Sequence, residues 1–199
     1  STARVLYLIY LGMFFLELIL LLFAGMDMFE AINTAMATAG TGGFGIYNSS
    51  LAGFNLTCQW IVTVFMWIFS VNFNFYYLLL IKEVNAALKM EEVRVYFALT
   101  TIATLIITLN ILSVSDGLFD ALTKAAFQVT SVQSSTGFST ADFALWPQTS
   151  RCVLVLLMFV GACAGSTGGG IKVSRFILMV KSVLKELESY IHTRSVRKI

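Results

Sequence analysis

The chain has 199 residues, of which 58% are hydrophobic and only 12% charged, with a mean hydropathy of +0.83. That balance excludes an ordinary soluble domain and places the chain in a membrane, where 17 Phe and a single Pro suit long apolar helices. A net charge of +2 is too slight to imply a nucleic-acid partner.

The first apolar run, 5–24, is long enough to cross a bilayer core. No small-residue cleavage site follows it, so it reads as a span and not as a signal peptide. Glu17 lies inside this span, where an ionisable group is costly; it is either a functional candidate or a protonated or paired structural residue. A semi-polar helical pattern at 28–39 is too short to span and leads into GTGGFGI at 40–46. The second span is 56–81; its Asn72 and Asn74 either face a cavity or hydrogen-bond between helices. A charged link, Lys82 to Arg94, precedes a third span at 93–114, a second short helix at 117–132 and the stretch SSTGFST at 134–140. The fourth span, 151–180, is interrupted by GACAGSTGGGIK at 161–172. Beyond it the tail from Lys181 to Ile199 mixes Lys and Glu with Val and Leu and reads as an interfacial or partner-docking helix, with His192 solvated. Cys58, Cys152 and Cys163 have no CxxC spacing, support neither a metal site nor a disulfide framework, and read as small packing residues.

Lys and Arg collect in cytoplasmic loops. All of the 13 basic residues except Lys124 and Arg151 fall on one side of these spans, which makes the link and the tail cytoplasmic. Asp27, Glu30, Asp116, Asp120 and Asp142 gather on the other side, where they should concentrate cations beside the two loops.

The order of span, short helix, polar loop and span occurs twice, an internal repeat. Phe29, Ala31 and Ala35 match Phe119, Ala121 and Ala125, and TGGFG at 41–45 matches STGFS at 135–139 with four more residues before the second loop, about one helical turn. The division is 1–92 for the first unit and 93–199 for the second. Non-helical backbone at membrane depth is tolerated only where protein or a water-filled cavity satisfies its peptide groups. Backbone carbonyls can replace the water shell of a dehydrating cation, and glycine permits the geometry that aims them. Thr41, Gly42, Gly43 and Phe44, and Ser135, Thr136, Gly137 and Phe138, suit that task, with the negative ends of the short helices pointing at the same place. The competing reading makes both loops ordinary external turns.

The break in the fourth span reads as a mobile plug or gate below the second loop, and alternatively as close helix packing through Gly161, Gly165 and Gly169 at GxxxG spacing. A phosphate-binding loop is disfavoured because Lys172 follows Ile171 and precedes Val173. No cluster of His, Asp, Glu or a nucleophile suggests an enzyme.

The repeated helix, pore loop and helix with one filter glycine per copy, together with GACAGSTGGGIKVSRF at 161–176, resembles the TrkH/KtrB superfamily of bacterial potassium-uptake proteins, the TrkH branch most closely. The resemblance covers essentially the whole chain, with GSTGGGIK at 165–172 its most specific element. It implies an all-α integral membrane protein of the multi-pass plasma (inner) membrane, embedded in lipid, in which four such repeats surround one K+ pathway. No organic cofactor is implied. The implied filter segments are 41–44 and 135–138, with Gly43 and Gly137 as filter glycines. The implied gate is Gly161, Gly165, Ser166, Thr167, Gly168, Gly169 and Gly170, with Lys172 and Arg175 at its inner end. The resemblance further implies a homodimer and a cytosolic nucleotide-binding regulatory subunit of the TrkA type. By order and by the place of the gate, the two units resemble the second and third of four. The alternative function is a membrane scaffold or assembly subunit whose glycines serve helix packing.

Overall fold

The computed structural model describes residues 2–191, so the expectations for His192, Arg194, Arg197 and Lys198 lie outside the described residues. Helix α1 (Thr2–Phe23) is followed by the short α2 (Met28–Ala39), a polar outer segment, and α3 (Leu56–Phe69) with α4 (Phe73–Leu80). A five-residue helix, α5 (Val84–Leu88), occupies the charged link. The order then recurs: α6 (Glu91–Ile111), the short α7 (Leu118–Gln133), an outer segment with one 3-10 turn, α8 (Gln148–Phe159) and α9 (Val173–Ile191).

Helices α1 and α6, at 22 and 21 residues, are long and apolar enough to cross a membrane. At ~1.5 Å of rise per residue each exceeds the ~30 Å hydrocarbon core. The other two expected spans are broken. The 56–81 run is not one helix: α3 and α4 meet at 89° across Ser70–Asn72. The 151–180 run is α8, a loop over 160–172, and the first residues of α9, which continues without a break into the tail to Ile191. A tail helix separate from the fourth span is therefore corrected.

The short helices differ by the one turn that the sequence alignment requires, since α2 has 12 residues and α7 has 16. Their matched frame residues have matched environments. Ala31, Ala35, Ala121 and Ala125 are fully buried, whereas Phe29 and Phe119 are exposed. The first pair anchors a core with Leu21, Val62 and Met66, the second a core with Ile107, Ile111 and Leu154. Their first turns match as well. The Asp27 N–H donates to the Glu30 carboxylate and the Asp116 N–H to that of Asp120, so two of the outer acids hold helix N-termini.

Candidate functional site

Helices α2 and α7 end in the same way. The Thr41 N–H donates to Thr38 O at 3.1 Å and the Gly42 N–H to Ala37 O at 2.7 Å. In the second half the Ser135 N–H donates to Val132 O at 3.0 Å and the Thr136 N–H to Ser131 O at 3.0 Å. Both are Schellman closures, which require a left-handed residue immediately after the cap. Thr41 (φ 49°) and Ser135 (φ 62°) take that conformation although neither is glycine. A left-handed non-glycine residue costs about 1–2 kcal/mol, held here by the closure itself. Two residues later the hand is left again, at Gly43 (φ 66°) and Gly137 (φ 91°), with residues of negative φ between. The two loops thus share an alternation of backbone hand at matched positions.

They also touch. A Cβ added to Gly43 would stand 1.9 Å from the Thr136 carbonyl oxygen, so only glycine admits this approach. Thr136 is buried, its hydroxyl 2.6 Å from that of Ser134. Phe138 packs into the core of the first half beside Leu51 and Cys58, and its carbonyl accepts the Ser131 hydroxyl at 2.5 Å. Phe44, its counterpart, is 82% exposed.

The 160–172 loop lies directly against both segments. Thr41 donates its hydroxyl to Thr167 O at 3.1 Å. An added Cβ would come within 2.9 Å of Ser134 O at Gly168 and 3.2 Å of Ser135 Oγ at Gly169. The loop's ends close on each other through the Gly161 N–H to Ile171 O, 3.0 Å, and the Val173 N–H to Ala162 O, 3.2 Å. A side chain at Gly161 would collide with Gly169 O at 2.3 Å. Gly161, Gly165 and Gly169 therefore lie in a loop, against the Gly169 backbone, the Asn72 side chain and the Ser135 side chain respectively; the helix-packing GxxxG reading is corrected. Ser166 donates to Cys163 O, Lys172 to Gly168 O, and Arg175 sits exposed in the first turn of α9.

The bend between α3 and α4 and this loop satisfy one another's backbone. The Cys163 N–H donates to Ser70 O at 3.0 Å, the Thr167 N–H to Phe69 O at 3.4 Å, and the Phe73 N–H to Gly165 O at 3.1 Å. Two broken helices from the two halves are tolerated at membrane depth because each supplies the partners the other lacks. Asn72 fits the reading of hydrogen bonding between helices, from the N-cap of α4 to α6. Its Oδ1 caps α4 by accepting the Asn74 N–H, and its Nδ2 donates to Glu92.

Glu92, in the first turn of α6, is the residue that sequence reasoning missed, having been counted only as part of a charged link. Its Oε1 accepts the Ala164 N–H at 2.5 Å and the Ser174 N–H at 3.2 Å, and its Oε2 accepts Asn72 Nδ2 at 3.3 Å. Glu17 is fully buried, with the Thr38 hydroxyl nearby and, among the described residues, no hydrogen bond to either carboxylate oxygen. Cys58 and Cys163 are buried in apolar clusters as expected, but Cys152 is exposed and is not a packing residue among the described residues.

A family model described as TrkH, cation transport protein, matches residues 1–199. The chain belongs to the TrkH family. It is 34% identical over its whole length to the Trk system potassium uptake protein TrkH of Escherichia coli K12, covering 42% of that protein. It is 31% identical to TrkH of Halomonas elongata over 98% of the chain and 41% of that protein. It superposes over its full length on the crystal structure of the potassium transporter TrkH from Vibrio parahaemolyticus, with a TM-score of 0.90, 31% identity and 44% of that chain covered. The chain thus spans about two-fifths of the length of the TrkH relatives it matches. Its fold is the helix, pore-loop, helix fold of TrkH, an all-α membrane architecture.

Proposed function

We propose that this chain forms one side of a potassium-uptake pathway, contributing two of its filter segments and its gate. The observation that carries the reading is the pairing of two loops that share one backbone pattern, left-handed at Thr41 and Gly43 and again at Ser135 and Gly137, and that touch at Gly43 and Thr136. Successive residues of alternating hand turn their carbonyls toward one side, whereas an extended strand alternates them. That is what a column of cation ligands requires. The ion, K+, is supported by the relatives named as potassium-uptake proteins.

Residues 1–92 and 93–199 are then two of the repeats. Carbonyls of 41–44 and 135–137 face the ion, and Phe138, whose carbonyl is already taken by Ser131, anchors its loop in the core of the first half. The gate is 161–170, lying against both filter segments, with Lys172 and Arg175 at the cytoplasmic end. The link and tail face the cytoplasm, the whole protein works as a homodimer in the lipid of the plasma membrane, and α9, with exposed Leu184 and Leu187, offers a surface for a TrkA-type nucleotide-binding subunit.

The test is growth of a potassium-uptake-deficient bacterium on limiting potassium. The full-length protein restores it, and Gly43→Ser or Gly137→Ser allows sodium to compete in uptake assays. Unchanged potassium-over-sodium preference in both variants would sink the filter assignment.

A further inference from the structure

We infer that Glu92 is the positioning residue of the gate: its single carboxylate fastens the 160–172 loop, the start of α9 and the α3–α4 bend to the first turn of α6. The inference rests on the gate reading above and adds to it a side chain that ties the loop to three other segments.

A carboxylate has about four lone-pair sites and can accept several donors at once. Here three donors from three separate segments converge on Glu92. Ala164 is at the middle of the loop, Ser174 is the second residue of α9, and Asn72 belongs to the bend of the other half. Two of the three are backbone N–H groups that would otherwise have no partner, since Ala164 lies in no helix and Ser174 is in a first helical turn. Hydrogen bonds to an ionised acceptor are roughly twice as strong as neutral ones, and breaking them leaves those donors unmet.

The neighbouring Glu91 carries the connection outward, pairing with Lys181 of α9 at 2.6 Å. The start of α6 thus grips α9 at Ser174 and again at Lys181. A displacement of α9 on the cytoplasmic side therefore pulls on the same carboxylate that holds Ala164. Of the two glutamates Glu92 is the one bonded to the loop itself, beside the ties from Val173 N–H to Ala162 O and from Lys172 to Gly168 O, and the Glu91–Lys181 pair, with side chains 56% and 47% exposed, is weak in water.

The native Cys163, fully buried beside Ala164, reports on the loop without any flux measurement. In full-length protein in which every other cysteine is serine, the rate of Cys163 modification by a small thiol reagent is compared for wild type, Glu92→Gln and Glu92→Ala. Potassium flux into proteoliposomes is measured alongside, with a deletion within 161–170 as control. We expect modification to rise at least several-fold in E92Q and further in E92A, with raised flux and unchanged potassium-over-sodium preference. If E92A does not assemble, E92Q decides. Wild-type modification rates in the assembled Glu92 variants overturn the inference, even if the deletion raises flux and so upholds the gate. Raised modification with flux unchanged in both the Glu92 variants and the deletion upholds the positioning role and overturns the gate reading instead.

Discussion

At the scale of single residues, the two glycines proposed for the filter stand in unequal surroundings. Gly43 faces the Thr136 backbone at a distance no side chain tolerates, and Gly137 has nothing within 4 Å of an added Cβ. Beside Gly137 lies an open cavity of about 220 Å³ lined by Ser131, Val132, Ser135 and Met158. If the chain supplies neighbouring repeats of a ring, that cavity is where the next filter segment stands, as Thr136 stands beside Gly43. In full-length protein Gly43→Ala and Gly137→Ala should then both lose potassium preference, and both should lower thermal stability by more than the ~1–2 kcal/mol of left-handed strain. Thermal unfolding and sodium competition check this; a selective, stable G137A beside a failed G43A would count against the ring. A second residue-scale expectation concerns Asn55, whose Oδ1 caps α3 at Cys58 N while its Nδ2 reaches Ala24 O at 2.6 Å. Asn55→Ala should cost roughly 1–2 kcal/mol in thermal unfolding and leave ion preference intact. The glycines and their loops were legible in sequence because nothing else in so apolar a chain explains them. The left-handed turns at Thr41 and Ser135 were not, because a Schellman closure is read from a glycine after the cap, and here Thr and Ser stand there. Glu92 was illegible for a different reason: its role depends on Ala164 and Ser174, more than 70 residues away.

At the scale of elements, one break announces itself and its partner does not. Five glycines over 161–170 cannot be a stable helix, and the loop is found there. The Ser-Val-Asn at 70–72 carries no glycine or proline, and α3 breaks there because the neighbouring loop supplies donors to Phe69 O and Ser70 O and an acceptor to Phe73 N. Tertiary pairing overrides local preference in a way periodicity cannot display. It follows that shortening 161–170 has two consequences. Potassium flux should rise as the constriction against Thr41 and Ser135 is removed. Stability should fall, because up to three backbone groups at the bend lose partners at about 1–3 kcal/mol each where water does not replace them. Flux in proteoliposomes and unfolding of the purified protein report the two effects separately. A deletion that leaves flux unaltered would remove the gate from the loop while leaving its structural role intact.

At the scale of the whole molecule, burial at Phe44 and Phe138 speaks to what lies beyond the described residues. Phe138 is 1% exposed because the first half wraps it, and Phe44 is 82% exposed at the matched position. A repeat preceding this one, placed as the first half is placed around Phe138, would cover it. On the filter reading proposed above, two segments enclose an ion on one side only, so a chain of these 199 residues alone should not restore growth on limiting potassium where the full-length protein does. The same geometry separates two ends of the molecule. The 41–44 and 135–138 loops and α2 lie at one end of α1, and the α5 link with Lys82 and Lys89 lies at the other, so the link end faces the cytoplasm if the charge asymmetry governs insertion. Asn48 and Asn85 are exposed at these opposite ends. In an otherwise cysteine-free full-length protein, Asn48→Cys should react with a membrane-impermeant maleimide applied to intact cells, and Asn85→Cys should react only after the cells are opened. The reverse pattern would place the glycine loop on the outer side of the filter, where it could not close the cytoplasmic exit, and would overturn the gating assignment together with the orientation.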